Sequence, residues 1–340
     1  MEWHNNTTSQ FNADQGSSKA EVMLTLAVYI ITFVLGAVGN FLVFGVIFTK
    51  KERKTPNDVF LINLATADLT AVSISLPVKL YQLFPPFLPA NNFVCKVVVP
   101  MVSVPFCASI FTITSMAIHR RRTILNPWRG MSNIYGTVAW VIGIWICSVT
   151  TLLPISILTS PLDGHCIINW TMKQEQAYVL AICLIQYVIP LVIILLAYVQ
   201  ICLNLKKYQK RVARVEVRKE NIEITRTIAV IVILFAVFTL PLQIFWLYYE
   251  FSGCEITENI QRFHQYAELL TDFHSCLNPL AYGVLTRRFR NKYTLMISSV
   301  FKIFEKSQKD FRSTNVSSHN RQERIPLAER NPGVGSTNLQ

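Results

Sequence analysis

Ser275-Cys276-Leu277-Asn278-Pro279-Leu280-Ala281-Tyr282 closes the last long apolar stretch of the chain. Proline inside a helix removes a backbone donor and collides with the carbonyl four residues earlier. A membrane helix tolerates such a break where neighbouring polar groups re-satisfy the freed backbone. With Asn278 and Tyr282 on either side of it, the stretch reads as a hinge in an oily helix. The plainer alternative is a proline kink of no special meaning, and the choice depends on what other segments offer to Asn278.

Those segments are numerous. Hydrophobic residues make up 51% of the 340 residues and charged residues 15%, too apolar for an average soluble domain. Runs of about 20 apolar residues cross a bilayer as helices, and seven are legible, at residues 22–48, 59–81, 97–118, 134–158, 178–203, 228–249 and 266–285. The expected fold is an all-α membrane protein, a seven-transmembrane helix bundle. After it, Phe289, Tyr293, Leu295, Met296, Phe301 and Phe304 alternate with Arg287, Arg288, Arg290 and Lys292. That pattern predicts a short amphipathic eighth helix over 286–305 at the inner membrane surface. Residues 306–340 are polar and expected to be a disordered tail, and residues 1–21 a glycosylated N-terminal segment. No apolar segment lies within those first residues, so the first span is expected to act as its own targeting signal.

The net charge of +12 does not point to nucleic acid, because the basic residues cluster in alternate connections. Lys50-Lys51-Glu52-Arg53-Lys54, Arg120-Arg121-Arg122, the segment 206–219 and the segment 287–292 lie on one side, and Asp163, Glu250, Glu255 and Glu258 on the other. By the positive-inside rule the N-terminus is outside and the C-terminus inside a plasma membrane. The sequons at Asn5, Asn6 and Asn169 then lie outside, where glycosylation occurs. The eight cysteines are scattered, with no metal-ligand spacing. The halves show no repeat, which counts against many transporters. His274, Asp272 and Ser275 invite a hydrolase reading, but adjacent residues diverge on a helix, so no enzyme is expected.

Taken in order, the spans carry Gly39-Asn40-Phe41-Leu42-Val43, then Asn63-Leu64-Ala65-Thr66-Ala67-Asp68-Leu69. The third begins at Cys95 and ends in His119-Arg120-Arg121; Trp145 and Pro154 follow in the fourth. Pro190 and Tyr198 lie in the fifth, Phe235 and Pro241 in the sixth, and Asn278-Pro279-Leu280-Ala281-Tyr282 in the seventh. Through these landmarks the chain resembles the rhodopsin-like (class A) G-protein-coupled receptors, of the peptide-receptor type. The resemblance implies a receptor that binds an extracellular ligand and activates heterotrimeric G proteins, with receptor kinase and arrestin acting at tail serines and threonines. It implies a Cys95–Cys166 disulfide, leaving Cys254 free. It implies an activation switch built on Ile110, His119, Arg120, Pro190, Tyr198, Phe235, Thr239, Pro241, Pro279 and Tyr282.

An acid inside a membrane helix is costly and usually functional, so Asp68 is singled out, with Ser109, Ser275 and Asn278 expected to meet it in a polar core. These oxygens suit a small hard cation, which the resemblance names as an allosteric sodium ion; a water-filled network without an ion is the alternative. No other cofactor is expected. Two positions depart from the family. His119 replaces the acid that restrains the arginine, leaving only Glu223 or Glu220 to pair with Arg120 and predicting high basal signalling. Thr239 replaces the ligand-coupled tryptophan, with Phe238 filling part of its volume.

For the ligand, the matching pocket positions are Lys79, Gln82, Val102, Gln186, Gln243, Trp246, Tyr249, Glu268 and Asp272. Val102 and Asp272 stand where amine receptors and opsins, respectively, carry different residues, so neither class fits. Glu268 and Asp272 favour a cationic ligand, a neuropeptide-like basic peptide. Alternatively Lys79 pairs with one of them, or attracts an acidic lipid or a nucleotide. A ligand-binding decoy and a polytopic transporter are the more distant readings. The basic connections also suit anionic membrane lipids.

Overall fold

The computed structural model describes residues 19–83, 90–126, 133–162, 165–211, 215–253 and 257–299, with residues 302, 305, 306 and 308. Among the described residues six helices are long and apolar enough to cross a membrane: α1 (Lys19–Phe48), α2 (Pro56–Leu80), α3 (Val94–Leu125), α4 (Ile134–Leu158), α5 (Met172–Leu205) and α6 (Arg218–Ser252). The seventh, α7 (Glu258–Leu285), carries Arg262, Glu268 and Asp272 and is the least apolar. Several helices start well before the hydropathy did, α7 by eight residues and α5 by six. Hydropathy sees the oily segment, whereas the backbone stays helical for as long as its ends are capped. Thr257 caps α7 through the Ile260 N–H, and Thr171 starts α5 in a capping box with Gln174.

The packing follows a ring in which α1 touches α2 and α7, α6 touches α5 and α7, and α3 lies against α2, α4, α5 and α6. Apolar side chains face outward: Phe41, Ile142, Leu195, Ile233 and Val237 are all exposed, while Asn40, Asn63, Asp68, Thr112 and Asn278 are buried. An apolar exterior around a polar interior is the arrangement that a lipid solvent selects.

Among the described residues three π-helical turns interrupt the bundle, at Ala71–Ser75, Val94–Val98 and Leu184–Val188. Each ends two residues before a proline, at Pro77, Pro100 and Pro190. Because the proline cannot donate to the preceding turn, the helix widens there by one residue. The extra residue turns the face presented by everything beyond it, including Lys79.

The all-α expectation gains one addition, an antiparallel hairpin of β1 (Thr159–Leu162) and β2 (His165–Ile168), with Pro161 opposite Cys166. The Cys95–Cys166 disulfide, with Cα atoms 5.3 Å apart, ties this hairpin to the start of α3. Residues 287–299 are helical, within the stretch expected to form an eighth helix. The chain divides into two compact units, Met1–Arg290 and Asn291–Gln340. Asn5, Asn6, Cys254 and the side chain of Gln82 lie outside the described residues.

Candidate functional site

Three polar layers run along the bundle axis. The first lies at the disulfide end. The Lys79 ammonium of α2 donates to Asp272 Oδ2 at 2.7 Å and lies 3.7 Å from Glu268 Oε1, both on α7. His264, one turn before Glu268, places Nε2 3.9 Å from the same carboxylate. Rings of Phe245 and Trp246 pack on His264, at 4.3 and 5.5 Å, and Tyr249 stacks on Phe245 at 5.9 Å. Trp246 is 40% exposed and the Glu268 side chain 32%, so both face outward, whereas Asp272 is enclosed with the lysine. Val102 contributes its carbonyl to Ser75 Oγ at 3.0 Å. Gln186 donates to Cys107 Sγ at 2.9 Å, and Gln243 is buried.

The second layer surrounds Asp68. Asn278 Nδ2 donates to Asp68 Oδ2 at 2.8 Å, joining α2 to α7. Asn40 Nδ2 donates to Gly36 O at 2.9 Å and to Ser275 O at 3.3 Å. Ser275 lies four residues before Pro279, so its carbonyl is the one deprived of a helical donor. A side chain from α1 therefore supplies what the proline removed. In the same part of the bundle Ser109 Oγ, Asn278 Oδ1 and Asn40 Oδ1 are buried without a hydrogen-bond partner. Above them Phe235, fully buried, meets the rings of Phe106 at 5.6 Å, Tyr187 at 6.3 Å and His274 at 5.4 Å. Thr239 folds its hydroxyl back onto Phe235 O at 2.8 Å. A second node ties α2, α3 and α4: Trp145 Nε1 donates to Asn63 Oδ1 at 2.8 Å, and Asn63 Nδ2 to Thr112 Oγ1 at 2.6 Å.

At the far end, Arg120 of α3 donates to Asn221 Oδ1 of α6 at 3.2 Å. Tyr198 of α5 donates to Thr225 O of α6 at 2.9 Å. The Tyr282 ring packs on Phe289 at 5.4 Å, and Arg121 Nε donates to Gln200.

The sequence profile of the 7 transmembrane receptor (rhodopsin family) matches residues 39–282. The chain belongs to this receptor family. A neuropeptide F receptor from Drosophila melanogaster is 25% identical over 299 residues, covering 79% of this chain and 61% of its own. The somatostatin receptor type 2 of Mus musculus is 28% identical, over 78% of this chain and 74% of its own. The melatonin receptor type 1B-B of Danio rerio is 24% identical, over 82% and 83%. As a member of a receptor family, this is a multi-pass membrane protein and not an enzyme.

In this receptor several residues singled out from sequence meet. Lys79 joins Asp272 and Glu268, Asp68 joins Asn278, and Cys95 joins Cys166. Ile110, Pro190 and Phe235 are all buried. Others go elsewhere. Ser275 reaches this layer through its carbonyl, to Asn40, and its hydroxyl makes no bond to Asp68. Glu223 does not pair with Arg120; its carboxylate engages Arg287, with Nε at 3.5 Å, and Arg120 takes the neutral Asn221 instead. Phe238 stacks on Phe273 at 6.2 Å, leaving His274, Phe106 and Tyr187 as the rings around Phe235. His119 leans on the Phe60 ring at 5.8 Å. Asn169 is exposed, and its side-chain amide donates to Ser160 Oγ at 2.8 Å. Sequence reasoning picked out Asn40 and Asn63 only as landmarks, without their bonding roles, and missed His264 and Phe245. Asn40 was within reach, because a proline in a membrane helix demands a donor for the carbonyl four residues back.

Proposed function

We propose that this receptor binds a basic, neuropeptide-like peptide at the disulfide end of the bundle and activates heterotrimeric G proteins at the Arg120 end. One observation carries the ligand class. The first layer holds two carboxylates against one ammonium, and Lys79 is spent mainly on Asp272 at 2.7 Å. Glu268, farther from the lysine at 3.7 Å and with its side chain 32% exposed, is left to meet a cation from outside. Charge-assisted hydrogen bonds are about twice as strong as neutral ones, so a lysine or arginine of a peptide is the natural complement. The neuropeptide F and somatostatin relatives support the same class. The enclosed Lys79 argues against an acidic lipid or nucleotide. A small uncharged ligand is the second reading, which the melatonin relative favours.

The disulfide end faces the outside of the plasma membrane, with glycans on the sequons there, and the basic connections face inside. Ligand binding shifts a two-state bundle; α6 moves, and Arg120, Tyr198 and Tyr282 rearrange around a G-protein helix. Receptor kinase and arrestin then act on the tail. Asp68 with Ser109 forms the site of an allosteric sodium ion; the orphaned buried oxygens of Ser109 and Asn278 fit a hard cation that accepts oxygen donors. A bound ion supplies positive charge that neutralises the Asp68 carboxylate.

The test is a peptide and small-molecule library screened on cells carrying a promiscuous G-protein reporter. A basic peptide agonist whose potency falls about tenfold, about 1.4 kcal/mol, in Glu268→Gln supports the reading. Activation only by uncharged or acidic small molecules, insensitive to Glu268→Gln, overturns the peptide class. Ligand binding without nucleotide exchange makes the receptor a decoy. Agonist affinity that ignores sodium in both the unsubstituted receptor and Asp68→Ala overturns the ion.

A further inference from the structure

The Arg120 end of α6 is fastened at a place that neither the ligand layer nor the arginine explains. Glu223 and Thr227 stand four residues apart on α6 and therefore share one face. That face meets the corner where α7 ends. The Arg287 backbone N–H donates to Glu223 Oε2 at 3.4 Å, and Arg287 Nε lies 3.5 Å from Oε1. One turn further in, Thr227 Oγ1 lies 3.1 Å from Thr286 Oγ1. Both threonines are buried.

The donors can be assigned. Thr227 donates its hydroxyl proton to Glu223 O at 2.9 Å, so Thr286 donates to Thr227. The result is a chain from Thr286 to Thr227 to the α6 backbone, in which each bond polarises the next. Thr286 is a rigid anchor for it. Its extended backbone breaks the helix, its N–H donates to Tyr282 O at 3.1 Å, and its carbonyl accepts from Arg290 N at 3.0 Å. The exposed Glu223–Arg287 pair adds little by itself, whereas the buried hydroxyl chain resists separation because parting it takes the acceptor from the buried Thr286 hydroxyl.

We propose that Thr227 and Thr286, covered by Glu223 and Arg287, form a clasp that holds the Arg120 end of α6 against the α7 corner in the resting receptor. The clasp restrains the same end of α6 that Arg120 reaches through the neutral Asn221. Its link to signalling rests on the proposed G-protein coupling; its mechanical role does not.

The experiment uses the full-length receptor in nanodiscs, spin-labelled at Tyr135→Cys of α4 and Lys219→Cys of α6, with the exposed Cys147 and Cys202, and Cys254, changed to serine. Electron-spin distance measurements without ligand are expected to show a longer α4–α6 population that rises about fivefold in Thr227→Val or Thr286→Val. That factor is about 1 kcal/mol at 1.4 kcal/mol per tenfold. The double variant is expected to add nothing, since each single change removes the same bond. In a second arm, Thr227→Cys with Thr286→Cys is cross-linked, which is expected to abolish the longer population until the link is reduced. Unchanged distances in both valine variants, or a longer population that survives cross-linking, overturn the clasp. Distances that move as expected while basal nucleotide exchange stays flat uphold the clasp and refute the coupling.

Discussion

At Gly39, α1 lies directly against the α7 proline, which sets a sharp expectation for Gly39→Ala. A Cβ built at Gly39 lies 2.8 Å from Pro279 Cβ and 2.9 Å from Pro279 Cγ. Ordinary carbon contacts begin near 3.5 Å, so α1 and α7 must part by roughly 0.6 Å or more. The obstacle is a ring fused to the backbone, which has no rotamer to escape into. Overpacking of this kind costs about 1–3 kcal/mol, against about 0.5–1 kcal/mol returned by removing a glycine from a helix. The shift also stretches the Asn40–Ser275 bond, already at 3.3 Å. Gly143, in α4, is the control, because nothing lies within 4 Å of a Cβ there. Thermal unfolding of purified receptor in detergent is expected to rank Gly39→Ala below the unsubstituted chain and Gly143→Ala at or above it. A Gly39→Ala receptor as stable as its parent refutes the argument that α1 is packed against the proline ring.

Three other expectations follow from the same contacts. Lys79→Met leaves Asp272 and Glu268 facing each other without a cation and is expected to lower stability by about 3–5 kcal/mol; Lys79→Met with Asp272→Leu recovers much of that, measured as a double-mutant cycle on thermal midpoints. Asn63→Leu removes both bonds of this node and strands Trp145 Nε1 inside the bundle, at about 1–3 kcal/mol, while the Thr112 hydroxyl keeps Ala108 O as its acceptor; it should cost more than Trp145→Phe, which leaves the Asn63–Thr112 bond intact. Cys95→Ser frees a 71-residue closure, worth up to about 4 kcal/mol on a chain-entropy basis, and is expected to reduce surface expression and the unfolding midpoint together.

The order of spans, their number and the family were legible because each rests on local features. A bilayer requires a minimum apolar length, basic residues mark connections, and landmarks such as Asn278-Pro279 keep fixed places in the chain. Long-range pairings were legible only where chemistry leaves few partners. Asp68 with Asn278, and Lys79 with Asp272 or Glu268, were foreseeable because a charge in a membrane must be satisfied. Glu223 illustrates the limit. From sequence it lay near Arg120, but α6 carries it on the face turned to α7, and Arg287 takes it. A one-residue difference on a helix is about 100° of rotation, which spacing alone does not resolve.

The stretch from Ser275 to Tyr282 divides the same way. That a carbonyl of the membrane helix loses its donor there is already written in the chain, since it follows from the covalent chemistry of proline, although α7 stays helical through the residue. Who answers is settled by packing: Asn40 donates to Ser275 O, Asp68 accepts from Asn278, and Gly39 makes room for the ring. Hydrogen bonds need partners within about 3 Å, and which groups come that close is fixed by the packing of α1 and α2 on α7, not by any one segment. The same holds for restraint at the Arg120 end. The replacement of an acid by His119 is visible in the chain, but the threonine pair at the α7 corner exists only once α6 is laid against it.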